Sequence, residues 1–210
     1  MKKIILIGAG GQARACIDVI EQSNKYRIVG LIEKKEKLGS KVFGYPVLGT
    51  DQEMKKISKR IKYALIGVGQ IKVSKTRINL YKKAIKAGFK LPVIKSPYAY
   101  VSTNAKIGEG TIIMHRAVVN TNAIIGQNCI INTNCIIEHD AFVGDHCHIS
   151  TGAILNGTVV LGRGSFVGSG SVIKEEVKIG NNCVIGANTF LRKNLASGIT
   201  YKGEKHRYKR

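Results

Sequence analysis

A histidine stands between two carboxylic acids in the second half of the chain, as Glu138-His139-Asp140. A carboxylate that accepts a hydrogen bond from one ring nitrogen selects the imidazole tautomer and raises the basicity of the other nitrogen. His148 follows nine residues later and could line the same groove. This pattern predicts a general base, His139 beside a carboxylate that tunes it, that deprotonates an amine or a hydroxyl. The remaining histidines are interpreted as surface residues: His115, His146 and His206.

A second candidate site lies near the N-terminus, where the apolar run KKIILI ends in Gly8-Ala9-Gly10-Gly11-Gln12. A glycine turn between a strand and a helix presents backbone N–H groups and a helix N-terminus to a phosphate. Ala13 takes the third glycine position of the dinucleotide fingerprint, and Glu33 stands where a ribose-binding acid would end the second strand. Residues 1–98 are too few to include a second mononucleotide half. The turn therefore predicts binding of a single nucleotide, with a purely structural tight turn as the alternative.

The candidate base lies inside a repeat of six residues that runs without insertion from 99 to 194. All sixteen hexads carry Val, Ile or Leu at their third position, and the last three positions are rich in Gly, Asn, Asp and Glu. Neither an amphipathic helix nor a simple strand sustains this period. Short strands joined by turns do, because each aliphatic side chain points into a shared core while stacked coils pair their backbones. The repeat therefore predicts an all-β parallel β-helix.

Residues 1–98 alternate predicted strands with predicted helices. KKIILI, RIVGLIE and YALIGVG have the composition of buried strands, whereas ACIDVIEQS and INLYKKAIKAGF have helical periodicity. This order indicates an α/β domain with a small parallel sheet, a Rossmann-like half. We expect that domain over 1–98, the parallel β-helix over 99–194 and a basic C-terminal tail over 195–210.

The charge of the chain narrows the class of partner. The net charge of +21 is concentrated in residues 1–98, where 22 Lys and Arg face 6 Asp and Glu. The basic runs lack the interleaved aromatic residues and motifs of nucleic-acid-binding domains, so we expect no nucleic-acid partner. Lysine-coated helices are the first interpretation, and attraction for anionic small ligands such as nucleotides or coenzyme A is the functional alternative. No apolar run approaches the roughly 18 residues that a membrane span needs. A cytoplasmic protein without membrane insertion is the expectation.

The cysteines follow the repeat rather than a metal-binding spacing. Cys129, Cys135, Cys147 and Cys183 all occupy the first position of a hexad, where a small side chain is wanted, and no CxxC pair occurs. We therefore expect buried reduced thiols, no metal site and no cysteine nucleophile.

Two motifs resemble one family over essentially the whole chain. The pattern N-T-x-x-x-I-E-H-[DE] stands here from Asn132 to Asp140, and G-x-x-x-H-I-S from Gly144 to Ser150. With the N-terminal GAGGQAR and the hexads, they resemble the bacterial sugar acetyltransferases in which a nucleotide-binding α/β domain precedes a left-handed β-helix. That family includes the UDP-4-amino-sugar N-acetyltransferases of bacillosamine synthesis, the perosamine N-acetyltransferases and the sialic acid O-acetyltransferases. The resemblance implies a left-handed coil, a homotrimer and acetyl-CoA bound between subunits.

The resemblance also implies roles for individual residues. His139 would be the general base and Asp140 the acid that tunes it. Acetyl-CoA would contact His148, Gly157, Ser169 and Ala187. The nucleotide sugar would contact Gly10, Gly11, Gln12, Glu33, Gly69 and Asn132. The predicted reaction is direct acetyl transfer to the amine of a nucleotide-linked 4-amino-4,6-dideoxy sugar.

Two departures from the family pattern affect single contacts. Glu33 is followed by Lys34, where relatives that bind UDP-sugars often carry a second acid, so the nucleobase is not predicted. The tail at Gly203 lacks the usual Pro-Ala, so its contact with CoA is not predicted either.

The predicted activity has three alternatives. O-acetylation of sialic or nonulosonic acid is the first alternative. A non-catalytic nucleotide-binding repeat protein is the second, and a metal-dependent β-helix of the carbonic anhydrase type, with three histidines between subunits, is the third.

Overall fold

The computed structural model describes residues 1–72 and 75–203. The elements of the N-terminal part are β1 Lys2–Ile7, α1 Gly11–Ser23, β2 Tyr26–Ile32, β3 Lys41–Val42, β4 Tyr45–Gly49, α2 Met54–Ser58, β5 Tyr63–Ile66 and α3 Lys75–Lys86. The strands form one sheet in the order β3-β4-β2-β1-β5, with helices on both faces. All neighbours in this sheet are parallel except β3 and β4.

Strands β1, β2 and β5 and helices α1 and α3 confirm the predicted α/β order. The hairpin β3–β4 and the short helix α2 lie in the segment between the second and third predicted strands, to which the sequence pattern had assigned no element. These elements are only two to five residues long, so none of them shows a period of 2 or of 3.6 long enough to detect.

The second part is a parallel β-helix of two-residue strands on three flat faces. The first face contains β6 Ile94–Lys95, β9 Ile112–Ile113, β12 Ile130–Ile131, β15 His148–Ile149, β18 Phe166–Val167, β21 Val184–Ile185 and β23 Thr200–Tyr201. The second face contains β7 Tyr100–Val101, β10 Val118–Val119, β13 Ile136–Ile137, β16 Ile154–Leu155, β19 Val172–Ile173 and β22 Phe190–Leu191. The third face contains β8 Lys106–Ile107, β11 Ile124–Ile125, β14 Phe142–Val143, β17 Val160–Leu161 and β20 Lys178–Ile179.

Strand residues of the coil pair with the residue 18 positions later, as Ile130 does with His148 and His148 with Phe166. The last coil is shorter, since Val184 pairs with Thr200, 16 positions later. The third residue of each hexad points inward, and Ile131, Ile137 and Val143 are fully buried in the resulting core. The tight corners require left-handed backbone at several turn residues that are not glycine. These include Asn122, Asn134 and Asn182, as the turn composition predicts, and also Asp140 and His146.

The α/β domain covers part of the first face of the coil. Ile17 and Ile20 of α1 belong to one buried cluster with Ile112 and Ile130, which point outward from the coil. The buried guanidinium of Arg77 strengthens this contact, because it donates to the carbonyls of Ile66 and Val68 in the α/β domain and of Asn128 in the coil. The first face is therefore the surface on which the two parts meet.

All five cysteines are buried and unpaired. Across the described ranges, no helix combines the length and the apolar character needed to cross a membrane.

Candidate active site

A cleft of about 720 Å³ opens between the α/β domain and the first face of the coil. It lies beyond the carboxyl ends of β1, β2 and β5, the edge at which open parallel sheets bind ligands. Its walls come from the glycine turn, the loop after β5 and the coil. They comprise Ala9, Gly10, Gly11, Gln12, Glu33, Gly67, Val68, Gly69, Gln70, Ile71, His148, Ser150, Phe166 and Ser169.

The glycine turn has the geometry of a backbone cradle. Gly8 has a φ of 101°, and a Cβ there would lie 2.5 Å from Val68 Cγ2, so both conformation and packing require glycine. A Cβ at Gly10 or Gly11 would meet nothing within 4 Å, so the backbone there faces open space. The Ala9 N–H donates to Glu33 Oε2 at 2.7 Å, which brings the predicted ribose-binding acid against the turn.

His148 forms the floor of the interdomain cleft and is only 6% exposed. Its Nδ1 lies 2.5 Å from the carbonyl oxygen of Gln70, and its Nε2 lies 3.1 Å from the Asn132 amide nitrogen. A carbonyl can only accept, so the ring carries its hydrogen on Nδ1 and Nε2 accepts from Asn132. Burial lowers the pKa of His148 to about 4. The imidazole is therefore neutral at pH 7, and both of its nitrogens are already hydrogen-bonded.

His139 stands on a different part of the coil, the corner between the second and third faces. Its Nδ1 lies 2.9 Å from Asp140 Oδ2, and its side chain is 55% exposed. Because a carboxylate accepts the Nδ1 hydrogen, Nε2 keeps a bare lone pair. Gly157 lies one coil further on, and a Cβ there would be 2.7 Å from His139 Cε1 and Nε2. His139, Asp140 and Gly157 are called the base corner below.

Amide side chains from the preceding coil donate hydrogen bonds to Glu138 and Asp140, the two acids that flank His139 in sequence. Asn122 Nδ2 donates to Asp140 Oδ1 at 3.2 Å, and Asn120 Nδ2 donates to Glu138 Oε2 at 2.9 Å. The hydrogen bonds from His139 and Asn122 lower the pKa of Asp140, so its carboxylate is ionised at neutral pH. The base corner thus carries a fixed negative charge behind an imidazole with a free nitrogen.

The structure brings together most of the predicted binding residues. Gly10, Gly11, Gln12, Glu33 and Gly69 line the interdomain cleft with His148 and Ser169, and Asn132 contacts His148. Asn188 N–H donates to the Ser169 carbonyl, so Ala187 lies one coil beyond Ser169, outside the cleft lining. His139 and Asp140 do not line the cleft, and Gly157 packs under the His139 ring. Within one chain, the base corner and the cleft are separate.

Sequence reasoning missed several residues of the cleft wall, among them Gln70, Phe166 and Ser150. Ser150 closes the G-x-x-x-H-I-S motif, and Phe166 is the outward residue one coil beyond His148. Gln70 directly follows the glycines that end the third predicted strand. The rule that ligands bind at the carboxyl ends of parallel strands could have found it.

The other described histidines have partners elsewhere. His115 lies 2.6 Å from Ser96 Oγ and 2.7 Å from Asp18 Oδ2 of α1, which ties the two parts of the chain together. His146 is buried against Tyr81 and contacts the Asn128 amide. His206 lies outside the described residues, as does the part of the predicted tail from 204 to 210. No group of three or more His, Cys, Asp or Glu suited to a metal ion occurs within residues 1–72 and 75–203.

Comparison with known families and structures agrees with this architecture. Residues 3–84 match the PglD N-terminal domain, and residues 104–139 and 158–193 match the bacterial transferase hexapeptide repeats. The acetyltransferase domain of PglB from Neisseria gonorrhoeae, solved in complex with acetyl coenzyme A, is 30% identical. Its TM-score is 0.88, and the alignment covers 95% of each chain. A search of curated protein sequences gives no match.

A variant of perosamine N-acetyltransferase from Caulobacter crescentus, solved with CoA and GDP-perosamine, is 26% identical. The alignment has a TM-score of 0.89 and covers 95% of this chain and 93% of that one. WeeI from Acinetobacter baumannii shares the fold at 23% identity, with a TM-score of 0.81 and coverage of 95% and 96%. The predicted α/β domain followed by a left-handed parallel β-helix is confirmed.

Proposed function

This chain belongs to the left-handed β-helix sugar acetyltransferases with a PglD-type N-terminal domain, and from that premise we propose that it acetylates the amine of a nucleotide-linked 4-amino-4,6-dideoxy sugar. Acetyl-CoA is the donor and His139 is the general base. The relative of 30% identity was solved with acetyl coenzyme A, and the relative of 26% identity was solved with CoA and GDP-perosamine.

The observation that carries this proposal is the hydrogen bond of 2.9 Å between His139 Nδ1 and Asp140 Oδ2. It leaves His139 Nε2 as an exposed proton acceptor, with an ionised carboxylate to stabilise the imidazolium that forms. In the proposed reaction the sugar nitrogen attacks the thioester carbonyl carbon and His139 takes a proton from that nitrogen. The C–S bond then breaks, and the proton is passed to the departing thiolate. The products are the sugar amide and CoA.

The acceptor is assigned to the interdomain cleft because its glycine turn suits a diphosphate. Gly10 and Gly11 face open space beside the N-terminus of α1, where backbone N–H groups favour a negative charge. Glu33, held against the turn by Ala9, is positioned for a ribose hydroxyl. Ser169 and Ala187, on one corner of successive coils, remain the proposed contacts of acetyl-CoA, together with His148 and Gly157.

A second copy of the chain completes the proposed site. The base corner and the cleft lie on different corners of the coil, so the base that serves one cleft comes from a neighbouring subunit in a homotrimer. A coil of flat faces can form such a cyclic assembly through one repeated interface. The unpaired thiols suit a reducing cytoplasm, where we place the protein.

The reaction is tested by supplying acetyl-CoA with a panel of UDP-, GDP- and CMP-linked amino sugars and with free sialic acid. We expect thiol release with a nucleotide-linked amine and a product that survives hydroxylamine, which cleaves esters but not amides. A hydroxylamine-sensitive product from sialic acid would instead support O-acetylation. Absence of acetyl-CoA binding by calorimetry would support the non-catalytic alternative, and zinc bound at one ion per subunit would support the metal-dependent one.

Sharing of the site between copies is tested with mixed oligomers. His139→Ala removes the base, whereas Gly10→Asp places a carboxylate in the phosphate cradle at an N-cap position that favours Asp. Gly10→Ser, a neutral residue equally suited to the N-cap, is the matched control and should stay active. Each variant alone should retain at most about 1% of wild-type turnover. Co-refolded equimolar mixtures should regain about a quarter of wild-type activity, since random assembly makes that share of interfaces intact. Mixtures that stay inactive would place base and cleft in one chain.

A further inference from the structure

Gln70 is the most unusual residue of the interdomain cleft. It is 2% exposed, and neither Nε2 nor Oε1 has a hydrogen-bond partner among the residues that the structure describes. A buried amide without partners destabilises the fold, because it gives up its bonds to water and gains none in return. Such a side chain in the wall of a cleft indicates a polar partner that comes from a ligand.

The structural role of Gln70 belongs to its main chain and not to its side chain. The carbonyl oxygen accepts from His148 Nδ1 at 2.5 Å, which any residue at this position could provide. The flanking loop approaches the glycine turn through Gly69, where a Cβ would lie 3.3 Å from Gln12 Cβ. The fold thus needs a backbone at position 70, but it makes no use of the amide.

Asn128 shows that an unpartnered buried atom is not sufficient evidence. Its Oδ1 also has no partner within the described part of the chain, yet its Nδ2 contacts His146 and the residue lies away from the cleft lining. One of the two polar atoms of the Asn128 side chain, Nδ2, therefore has a partner inside the fold. Gln70 differs because both of its polar atoms are unused and because it lies in the cleft wall.

The chemistry of an amide selects among the parts of a nucleotide sugar and of acetyl-CoA. Phosphate oxygens and the thioester carbonyl only accept hydrogen bonds, so they would satisfy Nε2 and leave Oε1 unpaired. A sugar hydroxyl and a nucleobase edge each donate and accept, so either matches both atoms. Position 70 lies on the His148 side of the glycine turn, because its carbonyl accepts from His148 and Gly69 approaches Gln12. Glu33, the proposed ribose contact, follows β2 on the opposite side of β1 from β5. The sugar ring, rather than the nucleobase, would therefore pass beside Gln70.

We propose that Gln70 is a specificity-determining residue that rotates from the cleft wall to hydrogen-bond a hydroxyl of the acceptor's sugar ring. This inference rests on the proposed function, since it assumes a nucleotide-linked sugar in the cleft. It identifies a hydroxyl of the sugar ring as the group that the cleft recognises, and Gln70 as the residue that recognises it.

The test uses Gln70→Met, which keeps the length of the side chain and removes both polar atoms. We expect the KM for the nucleotide sugar to rise about 10- to 100-fold, the effect of losing a buried hydrogen bond. The KM for acetyl-CoA should stay unchanged. The unfolding temperature should stay the same or rise, because no intramolecular bond is lost. A purely structural Gln70 would instead lower the unfolding temperature and leave the KM for the sugar unchanged, which would overturn the proposal.

Acceptor analogues that lack one ring hydroxyl sharpen the test. The wild type should lose affinity for one such analogue by the same factor that Gln70→Met causes, while the variant should bind that analogue and the complete sugar equally well. Calorimetric titration of the nucleotide sugar gives this comparison without turnover. If the wild type acetylates no nucleotide sugar, the proposed function fails. If the wild type is active and Gln70→Met matches it on every acceptor, only the role of Gln70 fails.

Discussion

His139 and His148 are close in sequence, but the structure holds their side chains in opposite ways. At the base corner, the partner of His139 is the next residue, and 55% of its side chain is exposed. In the interdomain cleft, the partners of His148 lie 78 and 16 residues away, and the residue is 6% exposed. One imidazole is positioned by its own turn, the other by the contact between two parts of the chain.

The difference in exposure and hydrogen bonding between the two imidazoles indicates a chemical role for His139 and a structural role for His148. An exposed imidazole with a bare Nε2 can accept a proton from a molecule brought to it, whereas a buried neutral imidazole with two occupied nitrogens cannot. Changes at the base corner should therefore alter kcat and leave stability unchanged. Changes at His148 should alter stability first, because they act on the packing of the α/β domain against the coil.

The largest effect is expected from His139→Ala. Loss of the general base should lower kcat about 10²- to 10⁴-fold, the usual contribution of such a group. The unfolding temperature should match that of the wild type, because the ring is mostly exposed. Acetyl-CoA affinity by calorimetry serves as the control and should stay the same. Undiminished turnover would break the division between the base corner and the cleft.

Gly157→Ala tests the base corner without touching the base. The added methyl carbon would lie 2.7 Å from His139 Cε1 and Nε2, so the ring must move out of position. A misplacement of this size should lower kcat about 10- to 100-fold. A double-mutant cycle provides the control: in a His139→Ala background the same substitution should cost nothing further. An equal loss in both backgrounds would show that Gly157 acts through acetyl-CoA instead.

Asp140→Asn should have a smaller effect at the same corner. Asp140 has a φ of 58°, a conformation that Asn also tolerates, so the turn should keep its shape. The amide oxygen can still accept from His139 Nδ1, but the negative charge that stabilises the imidazolium is lost. We expect kcat to fall about 10-fold, measured by thiol release at saturating substrates. Asn122→Gly, which removes a neutral partner of the same carboxylate and tolerates the left-handed turn, is the comparison and should cost less.

The same comparison explains what the sequence could predict. The inward aliphatic residues, the turn asparagines and the His139–Asp140 pair are all local features, and each was predictable from a short stretch. The burial of His148 was not, because Gln70 contacts it across 78 positions of the chain. The hairpin β3–β4 was not predicted, because its strands are too short to show a detectable alternation of apolar and polar residues. The separation of the base corner from the cleft could not be predicted from the sequence pattern, because it depends on which corner of the folded coil each turn occupies.

The pH dependence of stability isolates the buried histidine from the exposed one. Burial lowers the pKa of His148 to about 4, below the ordinary histidine value that applies in the unfolded chain. Between these two values the unfolded state binds the proton and the folded state does not, so stability is full above the ordinary value and falls as the pH is lowered.

From pH 8 to pH 5 the wild type should lose about 2 kcal/mol of unfolding free energy through this group. His148→Gln keeps a donor for the Gln70 carbonyl but cannot titrate, so urea unfolding of the two proteins across that range should differ in slope by this amount. Groups common to both proteins cancel in the difference. Parallel curves would mean that His148 is open to solvent, and the contrast between the two histidines would then disappear.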